Sequence, residues 1–545
     1  MEGHAGHAAA EVLRQSGVEV VFTLSGGHLF PLFDGLVARD IRLLDTRHEQ
    51  TAAFAAEGWA KVTRRPGVCA LTAGPGVTNA TSALAGASLA GTPMLAIGGR
   101  APQMRWGSGS LQELDHLPIV RSITRAAITA TAAGTLAADV QRAMLAAVTP
   151  HRGPAFVDVP LDVFASPATP PAPTGDGAEP PQATARPAPD PDACAAIAAL
   201  LRAAQRPVVV AGSDVYWDGA ETSLQRFAKE LQLPVFCNGL GRGTIPADHP
   251  CAFSRSRSTA LQRADLVVAV GAPLDFRLRF GDFSPARVVH IADSPQQVAQ
   301  HADLAAAASG DIGAVLDAVL DRAIGESAPP QRTAWLQELR DDEQRRRQAE
   351  QPELHSDASP ILPARVYGEL LRRLDRDAVV IGDGGDFVSY AGRYVDTFTP
   401  GCFLDPGPYG CLGTGAGYAI AARLAHPQRQ VVLLLGDGAA GFSLMDFDTM
   451  LRHRLPVVAI CGNNGIWGLE KHPMQAFFGY DVAADLRPGT RYDEVVCALG
   501  GHGELVTEPA GIGAALDRAF ASGLPALVNV LTDPADAYPR SSNLA

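Results

Sequence analysis

Short aliphatic stretches that stop at glycine, aspartate or asparagine recur along this chain, and they constrain its fold more than any other feature. VEVVFTL, GVCALTAG and PMLAIGG come first, then RPVVVAG, DLVVAVG and ARVVHIAD, then DAVVIGDG, QVVLLLGDG and LPVVAICGNN. Runs with both faces apolar fit central strands of parallel sheets, and the patterns between them fit helices. The expected class is α/β, with three parallel-sheet domains. In such sheets ligands sit at the carboxyl ends of the strands, where these small and polar residues fall.

Two breaks separate the three groups. SPATPPAPTGDGAEPPQATARPAPDPD, residues 166–192, is too rich in Pro and Ala for a packed element and reads as a linker. Residues 326–360 form the second break, in which WLQELRDDEQRRRQAEQ reads as a solvated helix. The expected domains are therefore 1–165, 193–325 and 361–530, with a tail at 531–545. A length of 545 residues suits about three domains.

Composition narrows the function. A net charge of −13 argues against a nucleic-acid partner, and no apolar run is long enough to span a bilayer. The eight cysteines make no CxxC pair, so thiols are expected rather than disulfides or zinc. MEGHAGHAAAEVLRQSG has no basic region followed by an apolar core, and a cytoplasmic protein is expected.

The stretch from 433 to 468, LLLGDGAAGFSLMDFDTMLRHRLPVVAICGNNGIWG, sets GDG and NN at the ends of two strands joined by one crossover helix over FSLMDFDTMLRHR. A carboxylate and an amide brought together there suit a hard cation such as Mg²⁺ shared with a ligand's phosphates. Either motif alone is an ordinary turn or cap. Together, twenty-four residues apart, they resemble the thiamin-diphosphate-binding motif. That resemblance implies Mg²⁺ held by Asp437, Asn464 and the main-chain oxygen of Ile466, with Gly436, Gly438 and Ala439 beside the diphosphate. GDGGDF at 382–387 resembles a second diphosphate-contacting strand end, which adds Gly384, Gly385 and Asp386.

Other stretches match the acetolactate synthase-like branch of that family. DTRHEQTAAFAAEGWAKV (45–62) and LTAGPGVTNATSALAGA (71–87) resemble its pyrimidine-binding domain. Glu49, otherwise an acid favoured by a helix N-terminus, would then hydrogen-bond the aminopyrimidine N1′, with Asn79 also in the cofactor pocket. PGPYGCLGTGAGYAIAARLA (406–425) resembles the stretch whose aliphatic residue bends the cofactor, and Leu412 takes that place unless it is simply a core leucine. The likeness runs over nearly the whole chain. It implies a homodimer or a dimer of dimers, in which the glutamate reaches a cofactor held by the neighbouring subunit.

Within the branch, NNGIWG, GYAIAA and VGAPLDFRLRFG resemble 2-hydroxyacyl-CoA lyases, most closely the actinobacterial type that cleaves 2-hydroxyisobutyryl-CoA. That resemblance implies a CoA-thioester substrate cleaved to a ketone or aldehyde and formyl-CoA. Acetolactate synthase, condensing two pyruvates with loss of CO₂, is the alternative. A silent homologue with a regulatory role is the remote one, disfavoured because Glu49, Asp437 and Asn464 are all present. The lyase reading puts ADP or nothing in the middle domain, where Arg277 would meet a phosphate. Asp293 would meet ribose hydroxyls there or cap a helix over SPQQVAQHA. Gln112 is the candidate for the substrate oxygen. His28, in FTLSGGHLF, is a proton relay or a histidine bonded to backbone. Glu494 is the preferred general base, with Asp493 as the fallback, unless both belong to a solvated first helical turn. AYPRSSNLA at 537–545 reads as a lid.

Overall fold

The computed structural model describes residues 3–171, 186, 188–324 and 332–538. It holds three all-parallel sheets. The first has six strands in the order Arg42–Asp45, Val20–Thr23, Gly67–Leu71, Met94–Arg100, Pro154–Pro160, Ala126–Thr129. The second has five, in the order Ala306–Ser309, Arg287–Ala292, Leu266–Val270, Pro207–Ala211, Val235–Cys237. The third has six: Phe403–Leu404, Val379–Asp383, Val431–Gly436, Val458–Asn463, Ala526–Leu531, His502–Val506. Counted within each domain, the first and third sheets share one strand order, 2-1-3-4-6-5. That repeat of topology leaves no repeat in the sequence.

Each of the nine aliphatic runs lies in a strand, and these strands are buried along almost their whole length. The two outer domains pack through helices Glu49–Thr63 and Thr414–Ala425. Their backbones approach where both carry glycine. A Cβ on Gly58 would lie 2.8 Å from the Tyr418 Cα, and one on Gly417 would lie 2.7 Å from the Phe54 Cβ. Polar groups buried at that contact are satisfied by one another. Lys61 bonds both the Tyr418 hydroxyl and Glu57 at 2.8 Å, and Tyr418 donates to Glu57 at 2.8 Å.

Three expectations about the chain path change. Thr333–Leu354 is a 22-residue helix packed on the central domain, not a linker helix in solvent. Trp335 and Leu339 enter that domain's core beside Val208 and Ala260, and the buried acids Asp342 and Glu343 bind Thr259, Ser254 and Ser256. The crossover after GDG is two helices, Asp437–Ser443 and Asp446–Arg452, and the first begins at the aspartate itself. SPQQVAQHA forms only the 3-10 turn Pro295–Gln297. Ser294 precedes that turn, so Asp293 caps no helix. Most of the 166–192 segment and residues 539–545 of the expected lid lie outside the described residues. All eight cysteines are free, and no described helix is long and apolar enough to cross a membrane.

Candidate active site

Strands Val431–Gly436 and Val458–Asn463 are neighbours in register, with Gly436 opposite Gly462, so GDG and NN emerge side by side. Asp437 is buried, and its carboxylate accepts from the Gly465 N–H at 2.7 Å and the Gly438 N–H at 3.0 Å. Asn464 donates its amide to Asp386 at 3.1 Å, and its side-chain oxygen accepts from the Ile466 N–H at 3.1 Å. The structure thus brings together Asp437, Asn464, Ile466 and Asp386. Burial, with Asp386 nearby, pushes Asp437 up to about 6, and burial also raises Asp386. Carboxylate, amide and peptide oxygens are the donors a hard divalent cation takes, and the Asp386 bond orients the amide so that its oxygen is the available donor.

The glycines around this point leave backbone exposed to a ligand. No atom lies within 4 Å of a Cβ built on Gly436, nor of one on Gly385, whose φ is +49°. Gly384, with φ +84°, has no room at all. A Cβ there would meet the Leu412 side chain at 2.7 Å and the Ala439 Cβ at 2.9 Å, so Gly384, Leu412 and Ala439 form one wall. Trp467 closes another, its ring 2.4 Å from where a Gly438 Cβ would stand. Asp383, which the sequence reading passed over, fastens the Leu412 loop by accepting from the N–H groups of Gly413 (3.0 Å) and Gly415 (2.9 Å).

The first domain holds further candidates. Glu49 is the buried first residue of helix Glu49–Thr63, and its carboxylate accepts from the Asn79 amide at 3.0 Å. Among the described residues Glu49 makes no hydrogen bond to the GDG or NN loops, although its neighbour Gln50 reaches the Leu412 carbonyl at 3.4 Å. His28 is buried with Nδ1 3.3 Å from the Thr72 hydroxyl. Burial, reinforced by His116, lowers its pKa, so the ring is neutral. Gln112 takes a left-handed backbone, φ +59°, and packs on Gly74.

Sequence reasoning missed the pair behind that loop. His116 Nε2 accepts from the Gly74 N–H at 2.9 Å and its Nδ1 bonds Asp158 at 3.0 Å, both side chains fully buried. The only trace in the sequence is a lone histidine after ELD, which carries no periodic signal.

Glu494 is not brought to the centre. Helix Tyr492–Leu499 buries Asp493 and Val496, and successive helical side chains point about 100° apart, so the next residue turns outward. The Glu494 side chain is 65% exposed and pairs with Arg491 at 2.9 Å. Asp493 is also removed as a base: Arg491 and the Asn529 amide hold it, and they keep its pKa below the usual value against the opposing effect of burial. It is bracing, because Asn529 in turn accepts from Asn463 at 3.0 Å.

In the central domain, Arg277 pairs with Asp275 at 2.6 Å, and it lines a cavity at the strand ends with His151, Asp214, His290 and Gln297. Asp293 lies buried beside that cavity. One of its oxygens bonds His151 Nδ1 at 3.1 Å, and the other has no hydrogen-bond partner among the described residues. The helix-cap alternative for Asp293 falls, and a free acceptor is left.

Comparison with known proteins gives the class. The family models for thiamine pyrophosphate enzymes match residues 3–119 (N-terminal TPP binding domain), 194–319 (central domain) and 383–530 (C-terminal TPP binding domain). The chain belongs to the thiamine pyrophosphate enzymes, in their acetolactate synthase-like group. Over 544 residues, 99% of this chain and 98% of theirs, it is 55% identical to a probable acetolactate synthase of Mycobacterium bovis and to an acetolactate synthase large subunit of Mycobacterium tuberculosis. Human 2-hydroxyacyl-CoA lyase 2 is 33% identical over 92% of this chain and 85% of its own length. The likeness to acetolactate synthases is the nearer of the two, against the lyase emphasis of the sequence reading.

A pH dependence follows from Asp437. A carboxylate whose pKa is raised on folding stabilises the apoprotein in its protonated form, and that contribution fades as pH rises through about 6. A metal ligand must be deprotonated. Affinity for Mg²⁺ with thiamin diphosphate should therefore fall about tenfold per pH unit below that value and level off above it. Calorimetric titration across the range checks this, and an affinity flat with pH would contradict the assignment of Asp437.

Proposed function

We propose that this chain joins carbon to carbon with thiamin diphosphate and Mg²⁺, condensing two molecules of pyruvate to acetolactate with loss of CO₂. The observation that carries the reading is the convergence of Asp437, Asn464 and Ile466 on one glycine-lined loop, in a chain 55% identical end to end to proteins named acetolactate synthase. Bound thiamin diphosphate supplies a stabilised carbanion. The chain's residues do the rest. Asp437, Asn464 and the Ile466 carbonyl hold the cation, and the backbone at Gly385 and Gly436 admits the diphosphate. Leu412, backed by Gly384 and Ala439, supplies the apolar wall. Glu49, kept in place by Asn79, exchanges a proton with the pyrimidine ring. Neutral His28 and Gln112 face the substrate side.

The active unit is a homodimer or a dimer of dimers. Within one chain Glu49 makes no hydrogen bond to the GDG or NN loops among the described residues, and in this reading the glutamate of a second copy completes the site. The 2-hydroxyacyl-CoA lyase reading remains the second one, favoured by NNGIWG at 463–468 and by the human relative.

Loaded protein given pyruvate, and separately 2-hydroxyisobutyryl-CoA, separates them. Acetolactate should form from pyruvate. Thioester cleavage to formyl-CoA with no acetolactate would replace the first reading by the second.

A further inference from the structure

The turn at 72–76 lies between His28 and Gln112. On one side His28 Nδ1 is 3.3 Å from the Thr72 hydroxyl. On the other, Gly74, with φ +62°, has the Gln112 backbone directly against it: a Cβ built there would stand 3.0 Å from the Gln112 Cβ and 3.1 Å from its carbonyl oxygen. A displaced turn would misplace both side chains, and about 1 Å of misplacement can cost on the order of a hundredfold in rate.

His116 grips that turn. A backbone N–H can only donate, so the Gly74 N–H at 2.9 Å makes His116 Nε2 the acceptor. A proton on Nε2 would face that N–H, so the ring is neutral, and its one proton sits on Nδ1 and is donated to Asp158 Oδ1 at 3.0 Å. Arg100 donates to the other Asp158 oxygen, Oδ2, and its guanidinium lies 3.8 Å from the centre of the Trp106 ring. Phe156 meets the imidazole edge-on, with ring centres 6.3 Å apart. His116 and Asp158 are fully buried, and the loop that carries Gln112 is pinned at its two ends by Arg100 and by His116. A leucine would fill the space of the imidazole, but it would leave the Gly74 N–H without an acceptor.

We propose that His116, oriented by Asp158, is a positioning residue: through the Gly74 N–H it fixes the turn on which Gln112 and His28 are seated, and so sets how tightly the substrate is held. The inference rests on the reading above, in which those two side chains face the substrate.

Three variants test it, each loaded with thiamin diphosphate and Mg²⁺. His116→Leu removes the acceptor. Asp158→Asn keeps size and shape, but with its oxygen turned to Arg100 its amide N–H group faces His116 Nδ1, which forces the imidazole proton onto Nε2 and against the Gly74 N–H. His116→Gln returns an acceptor to the place of Nε2. KM for pyruvate should rise at least about tenfold in the first two and come back to within about threefold of native in the third, with cofactor affinity unchanged in all three. A purely structural role would lower the folded fraction, and turnover with it, without moving KM. Native KM in folded Asp158→Asn overturns the proposal, as does equal damage from leucine and glutamine at 116. Should His116→Leu not fold, Asp158→Asn decides alone. If the thioester rather than pyruvate is turned over, its KM is read instead.

A native chain that turns over neither substrate would end the reading above, and the inference is then decided by nitrogen NMR of histidine-labelled protein, with the His116 signals assigned from His116→Gln. Native Nε2 without a proton, and Nε2 protonated in Asp158→Asn, supports it. A proton on native Nε2 overturns it.

Discussion

Asp437→Ala should purify without thiamin diphosphate and bind it, with Mg²⁺, at least about a hundredfold more weakly than the native chain. The side chain is buried and is the one carboxylate expected among the cation's protein ligands, so no neighbour replaces it. The apoprotein should nevertheless fold. Removing a carboxylate raised from 3.8 to about 6 relieves on the order of 3 kcal/mol at neutral pH. Against this, the N–H groups of Gly438 and Gly465 lose their acceptor, at ~1–3 kcal/mol each. The two effects nearly cancel, so lost cofactor with a near-native melting temperature is the expected pairing. Unchanged cofactor affinity would remove Asp437 from the metal site.

Glu49→Gln should keep the fold and the cofactor but lose about 10²- to 10⁴-fold in turnover, the usual worth of a positioned proton-transfer group. Glutamine keeps the volume, and its amide oxygen can still accept from Asn79. What it cannot do is give or take the proton. The direct readout is exchange of the cofactor's C2 hydrogen followed by NMR. Exchange at the native rate would show that Glu49 only fills space.

The sequence was most legible where burial acts on both faces of an element. Every aliphatic run became a strand, because a strand covered on both sides must be continuously apolar. Eight strands escaped: the six edge strands, among them RLLD at 42–45, AAIT at 126–129 and HGELV at 502–506, and the interior strands Pro154–Pro160 and Ala526–Leu531, whose buried runs are interrupted by Asp158 and Asn529. RLLD, AAIT and HGELV each have one open side and are only partly buried. The helix Thr333–Leu354 was misread for a related reason: its charged residues face the domain as well as the solvent, and Asp342 and Glu343 are buried against hydroxyls and arginines, so composition alone described a solvated rod.

At the site, motif and strand-end position brought Asp437, Asn464, Gly384 and Leu412 to one place. Glu494 failed because a helix's first turn has three or four faces, and nothing in YDEVV says which acid turns inward. His116 and Asp158 meet across forty-two residues, a contact only the fold creates.

The most direct test of the account combines its two halves. Chains carrying Glu49→Gln and Asp437→Ala should each be inactive alone. Co-expressed, they should recover about a quarter of native activity, since half of randomly paired dimers are mixed and each mixed dimer has one site with both residues intact. Recovery at that level would place Glu49 and the metal-binding loop on opposite subunits of one thiamin-dependent site. No recovery, with mixed dimers demonstrated by differential tags, would contradict it.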